Sequence, residues 1–91
     1  MDIHLARSYM SAKRLPFDIG DLIVCRSTTT VIKEKNNEYT LVFPGTYGII
    51  LSLQNLTDYP AGWWEIVMFI EGAVCRGQGA DIVWIQYWGL L

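Results

Sequence analysis

A chain of 91 residues is one domain near the lower limit for a freestanding fold. Charged residues make up 18% of it against about 25% in an ordinary soluble domain, hydrophobic residues 52%, and the formal net charge is -2. That balance excludes intrinsic disorder, which needs low hydrophobicity with high net charge, and a strongly basic nucleic-acid binder.

Residues 1–16 read as an N-terminal arm, extended or weakly helical. Arg7, Lys13 and Arg14 alternate with Ile3, Leu5, Tyr9, Met10 and Leu15, and Pro16 ends the segment. A helical reading gives only the poor stripe Ala6, Met10, Arg14. The domain proper is expected over 17–91. Its first strand is predicted over 20–26, with Leu22 and Val24 on one face and Ile23 and Cys25 on the other. The β-branched run Thr28–Ile32 and the run Tyr39–Phe43 flank the charged, Asn-rich KEKNNE, so a projecting hairpin is expected at about 28–43. Pro44-Gly45 is a turn. Strands are predicted over 47–54 and 63–70, with the loop NLTDYPAG between them. The segment AVCRGQGAD is expected to hold a short strand and a Gly-rich turn, and 82–86 a last strand, with room for a short 3₁₀ turn. No helix longer than about three turns is expected. Short strands at this spacing, punctuated by turn residues, predict an all-β chain closing as one small barrel.

The order of these signals carries a resemblance. Gly20-Asp21-Leu22-Ile23-Val24 opens a strand, and Pro44-Gly45-Thr46-Tyr47-Gly48-Ile49-Ile50-Leu51 follows a long hairpin. Next come Trp64-Glu65-Ile66-Val67-Met68-Phe69-Ile70-Glu71-Gly72 and a closing Trp84-Ile85. Over about residues 17–88 the chain resembles the small SH3-like β-barrel proteins of tailed bacteriophages, whose relatives include KOW-type domains and the stopper or adaptor proteins of phage necks. The matching residues are those that shape turns and fill a barrel. The resemblance implies the fold, a virion component (neck, tail or capsid-associated) and a location in the virion or the host cytoplasm. The arm, the long hairpin and the aromatic C-terminal run are additions to the pattern.

The residues offer little chemistry. Cys25 and Cys75 are fifty residues apart, His4 is the one histidine, and no Cys-x-x-Cys or His-x-x-x-His spacing occurs, so no metal is expected. A Cys–His pair would have to recruit His4. Glu65 and Glu71 lie about 20 Å apart on one strand face at ~3.4 Å per residue, too far for an acid–base pair. Arg76-Gly77-Gln78-Gly79-Ala80-Asp81 lacks the spacing of a phosphate loop and reads as a turn, with Arg76 and Asp81 placed to pair across its neck. The expectation is a non-enzymatic chain with no cofactor and no small-molecule ligand. The N-terminus lacks the apolar run of a signal peptide, and no stretch approaches the 18 residues of a membrane span. Free thiols are expected accordingly.

Basic and acidic residues number 4 and 3 over residues 1–26, 2 and 3 over 27–60, and 1 and 3 over 61–91. Only the arm is positive, and Arg7, Lys13 and Arg14 are the candidate phosphate contacts for the alternative of a KOW-like nucleic-acid-binding or regulatory adaptor. The stronger signal is apolar surplus. A half-exposed antiparallel strand alternates apolar with polar residues, yet WWEIVMFIEG and DIVWIQYWGLL are apolar on both faces. A barrel of this length encloses one face of each, so the other is covered either by the arm or the long hairpin folding back or, on the favoured reading, by a partner. The expected role is therefore assembly with other protein chains, as a homo- or hetero-oligomer, through Trp63, Trp64, Met68, Ile70, Trp84, Tyr87 and Trp88, with Trp64 and Trp88 as anchors.

Overall fold

A computed structural model describes residues 15–56 and 62–91. Seven strands form one antiparallel sheet: β1 (Leu22–Cys25), β2 (Thr29–Lys33), β3 (Glu38–Val42), β4 (Tyr47–Asn55), β5 (Trp63–Ile70), β6 (Ala73–Ala80) and β7 (Trp88–Leu90). Among the described residues one two-turn helix, α1 (Asp81–Tyr87), joins β6 to β7. The strand order is β3-β2-β6-β5-β4-β1-β7, and the sheet curls into a half-barrel. The all-β expectation holds, as do the hairpin and the strands expected near 20–26, 47–54 and 63–70. The arm, with Arg7, Lys13 and Arg14, lies outside the described residues except at its end. There Leu15 is buried in the core together with Phe17, so packing begins two residues before the expected boundary.

Local chemistry sets the turns. Glu71 and Gly72 form a two-residue loop between the paired Ile70 and Ala73, both with positive φ (48° and 82°), as a type I′ hairpin turn requires. Ahead of β1, the Asp18 N–H donates to Asp21 Oδ2 (2.8 Å) and the Asp21 N–H returns to the Asp18 carbonyl (3.0 Å). In β4 the register with β5 slips between Ile50 and Ser52, leaving Leu51 as the extra residue of a bulge that sharpens the curl.

Three expectations are corrected. Residues 82–86 are helix, not strand. Trp84 and Trp88 are four apart, a spacing that puts them on one side of a helix as well as on one face of a strand, and the chain needs a connector across the open end of the half-barrel from β6 to β7. The Gly-rich stretch 77–80 is strand, not turn: β6 pairs with β5 along its whole length, Ala73 with Ile70 through Ala80 with Trp63. Gly77 and Gly79 point into the half-barrel, where the Trp84 ring lies on them; a Cβ on Gly77 would stand 3.1 Å from Trp84 Cη2. Nor does Arg76 pair with Asp81. It meets Glu34 Oε2 at 3.1 Å, Glu65 Oε2 at 3.9 Å and Asn37 Oδ1 at 3.0 Å.

The core occupies the concave side. Ile23, Cys25, Ile50, Ile66, Met68, Ile70 and Cys75 line it from the central strands, and Val31 and Val42 from the base of the hairpin. Trp64, Trp84, Trp88 and Phe17 are its largest residues. β2 and β6 share only two register pairs, Ile32 with Arg76 and Lys33 with Cys75. Beyond them the strands diverge, and the indoles of Trp84 and Trp88 fill the space beneath.

Candidate protein-binding face

The structure brings most of the sequence-selected residues together, but on the inside; Trp63 alternates with the buried Trp64 and shares the outer side of β5 with Glu65 and Phe69. Trp64, Met68, Ile70, Trp84 and Trp88 are all buried within this chain, and Trp63 and Tyr87 are half-buried. For Trp64, Met68, Ile70, Trp84 and Trp88 the expected role as exposed contacts, with Trp64 and Trp88 as anchors, is corrected: these side chains form the core. The reason is geometric. Curling lets seven short strands wrap one apolar face, and α1 with the base of the hairpin closes over it, so the larger residues went inward.

The surplus of apolar surface is real and lies on the opposite face. Leu22 pairs with Ile49, Ile49 with Phe69, and Phe69 with Val74, so four apolar side chains form one row across β1, β4, β5 and β6. All four are exposed, and Tyr47 and the bulge residue Leu51 extend the row along β4. At these exposures the band offers on the order of 400 Å² of apolar surface, within the range where such patches mark interaction sites. Its border is polar on two sides, while on the β7 side the exposed Leu91, whose N–H donates to the Leu22 carbonyl, continues it. On the hairpin side Arg76, Glu34 and Glu65 form an ion-paired strip, joined by Gln78 through its 3.2 Å bond to Glu65; at the turn end stands Glu71. An apolar centre with a polar, solvated rim is the anatomy of a protein–protein interface. Sequence reasoning had a signal for this face. Val67 and Phe69 share it with Glu65 and Glu71, and carboxylates are almost never fully buried without a partner.

The remaining features hold little chemistry. The cleft between β2, β6 and α1 measures about 50 Å³, room for a water or two. A groove of about 340 Å³ where the hairpin diverges from β6 is open, and Arg76, its one charged lining residue, is already ion-paired. Among the described residues no three His, Cys, Asp or Glu cluster as metal ligands, and no helix is long and apolar enough to cross a membrane.

Cys25 and Cys75 are free and buried. Burial pushes both thiols above their ordinary value; at Cys25 the backbone of Ser27 pulls the other way, and at Cys75 Lys33 lowers and Glu34 raises. A folded pKa above the unfolded one stabilises the fold fully below the ordinary value of 9.0, and that contribution is lost as pH rises through the raised values. Urea midpoints are therefore expected to fall as pH rises past about 9, and the Cys25→Ala/Cys75→Ala double variant is expected to show a shallower fall. An identical alkaline decline in the double variant would refute the assignment to the thiols.

The fold and the face define a class, a small all-β domain built as a curled antiparallel half-barrel with an apolar outer band. No protein-family model, no curated protein and no solved structure matches the chain.

Proposed function

We propose that this chain is a non-enzymatic assembly protein that binds another protein through the outer face of its sheet. The supporting observation is the row Leu22–Ile49–Phe69–Val74, four exposed apolar side chains in register across four adjacent strands. Covering such a band returns about 25 cal/mol per Å², enough to drive association after the costs of ordering are met. The resemblance to the small barrels of tailed-phage virions supports a neck, tail or capsid-associated part as the setting. The rigid half-barrel would present the band passively. The cations of the described residues, Arg26, Lys33, Lys35 and Arg76, form no patch on this face, which favours a protein over a nucleic acid.

Affinity purification from the native source, with partners identified by mass spectrometry, tests this reading. Virion proteins are expected to accompany the wild-type chain and to drop at least tenfold with the Ile49→Ser/Phe69→Ser double variant, whose melting temperature should hardly change. The same partners retained by the double variant would remove the face from the reading. Salt-sensitive retention on DNA without any virion protein would replace it with the nucleic-acid adaptor.

A further inference from the structure

Among the described residues, a second surface, apart from the outer band, is the free edge of the sheet at β3. This strand hydrogen-bonds to β2 on one side and is the last in the order on the other. Alternate N–H and C=O groups of its five residues therefore face away from the sheet. Tyr39, Leu41 and Phe43 point to one face at 76%, 56% and 57% exposure. Natural edge strands are blunted by lysine, proline, a bulge or shortness. The other edge, β7, is three residues long. β3 carries a single guard, the charge of Glu38 at its end: Glu38–Val42 contains no lysine and no proline, and its register with β2 runs unbroken over five pairs.

We propose that β3 pairs antiparallel with β3 of a second copy of this chain, joining two half-barrels into one continuous sheet. The strand is complementary to itself. A two-fold axis at Thr40 sets Tyr39 opposite Leu41 of the second copy and Glu38 opposite Val42, so aromatic meets aliphatic and no like charges face each other. Such an interface is isologous, and it closes at the dimer. The charged tip residues Glu34 and Lys35 lie beyond the paired segment. The three exposed side chains contribute roughly 350 Å² per copy, less than half of the ~800 Å² per partner in a standard interface. The dimer is accordingly weak and concentration-dependent, with the backbone ladder supplying register and the side-chain stripe supplying affinity.

Sedimentation of the full chain from a few micromolar to several hundred micromolar reads this directly. The wild type is expected to shift from monomer to dimer across that range. Leu41→Lys and, separately, Tyr39→Lys, both at exposed edge positions, are expected to raise the dissociation constant at least tenfold. Phe69→Ser, on the outer band, is expected to leave it within twofold. Amides of residues 39–41 should gain protection from hydrogen exchange as the concentration rises. A wild-type chain that stays monomeric at several hundred micromolar overturns the proposal. So does a dimer that survives both lysine variants and is lost with Phe69→Ser, a result that would place self-association on the outer band and leave the assembly reading standing.

Discussion

Trp84→Ala is expected to cost about 3–5 kcal/mol in urea denaturation, the upper range for losing a large core side chain. Trp84 is the one buried residue of α1. Its ring lies on Gly77 and Gly79, and its Nε1 donates to the Trp64 carbonyl at 3.4 Å. Removing it leaves a hole continuous with the cleft already present between β2, β6 and α1. A helix of seven residues has no stability of its own, and Ile82, Val83 and Ile85 are all exposed; beside Trp84, the half-buried Tyr87 packs on the core, and the Asp81 N–H to the Gly62 carbonyl and the Arg26 N–H to the Tyr87 carbonyl tie the two ends. Trp64→Phe is the control. Trp64 Nε1 is buried without a hydrogen-bond partner, and phenylalanine removes that donor while keeping an aromatic ring in place. The saved desolvation and the smaller ring oppose each other, for a net change within about 1 kcal/mol. A loss below about 1 kcal/mol for Trp84→Ala would mean that α1 is held by something other than this indole.

A second large effect has a sign opposite to intuition. Valine in place of glycine within a strand ordinarily stabilises, by up to about 1 kcal/mol on strand-propensity scales. Gly77→Val in the middle of β6 is expected instead to cost about 1–3 kcal/mol, the range for overpacking a core. The first added carbon already stands 3.1 Å from Trp84 Cη2 and 3.5 Å from Cζ2, and the two γ-methyls must displace the indole from its seat. The coupling is checked in a double-mutant cycle. In a Trp84→Ala background the valine should be neutral or favourable, because the space it needs has been vacated. Independent, additive losses at the two positions would show that the glycine serves the strand rather than the indole.

The pair explains what the sequence revealed of this fold and what it concealed. β1, β4, β5 and the hairpin were legible because each combines a period-two apolar pattern with turn chemistry at its ends, such as Pro44-Gly45 or Glu71-Gly72. β6 was hidden because glycine in a strand looks like a turn unless the ring that needs the vacancy is known, and that ring comes from an element several residues further on. α1 was hidden because a spacing of four satisfies both periods. The candidate face was half legible. The apolar surplus was countable, but the uniformly apolar side of β5, Trp64, Ile66, Met68 and Ile70, attracted the assignment, whereas Glu65 and Glu71 already marked the other side as the wet one. Bulk goes to the core of a small domain, where it fills the most volume per residue; the solvated side is told by its charges.

The two-pair junction between β2 and β6 bears on how this chain can vary. Val31 and Val42 fasten the base of the hairpin into the core, and past Lys33 and Glu38 the loop is tied back by the Glu34 N–H to the Val74 carbonyl and through Arg76 to Glu34 and Asn37. Residues inserted between Lys35 and Asn36 would extend into solvent, adding little closure entropy and displacing no buried atom. The reach of the hairpin is thus a quantity that descent or design can lengthen or trim by itself, while the volume enclosed by the half-barrel, locked by its tryptophans, is not.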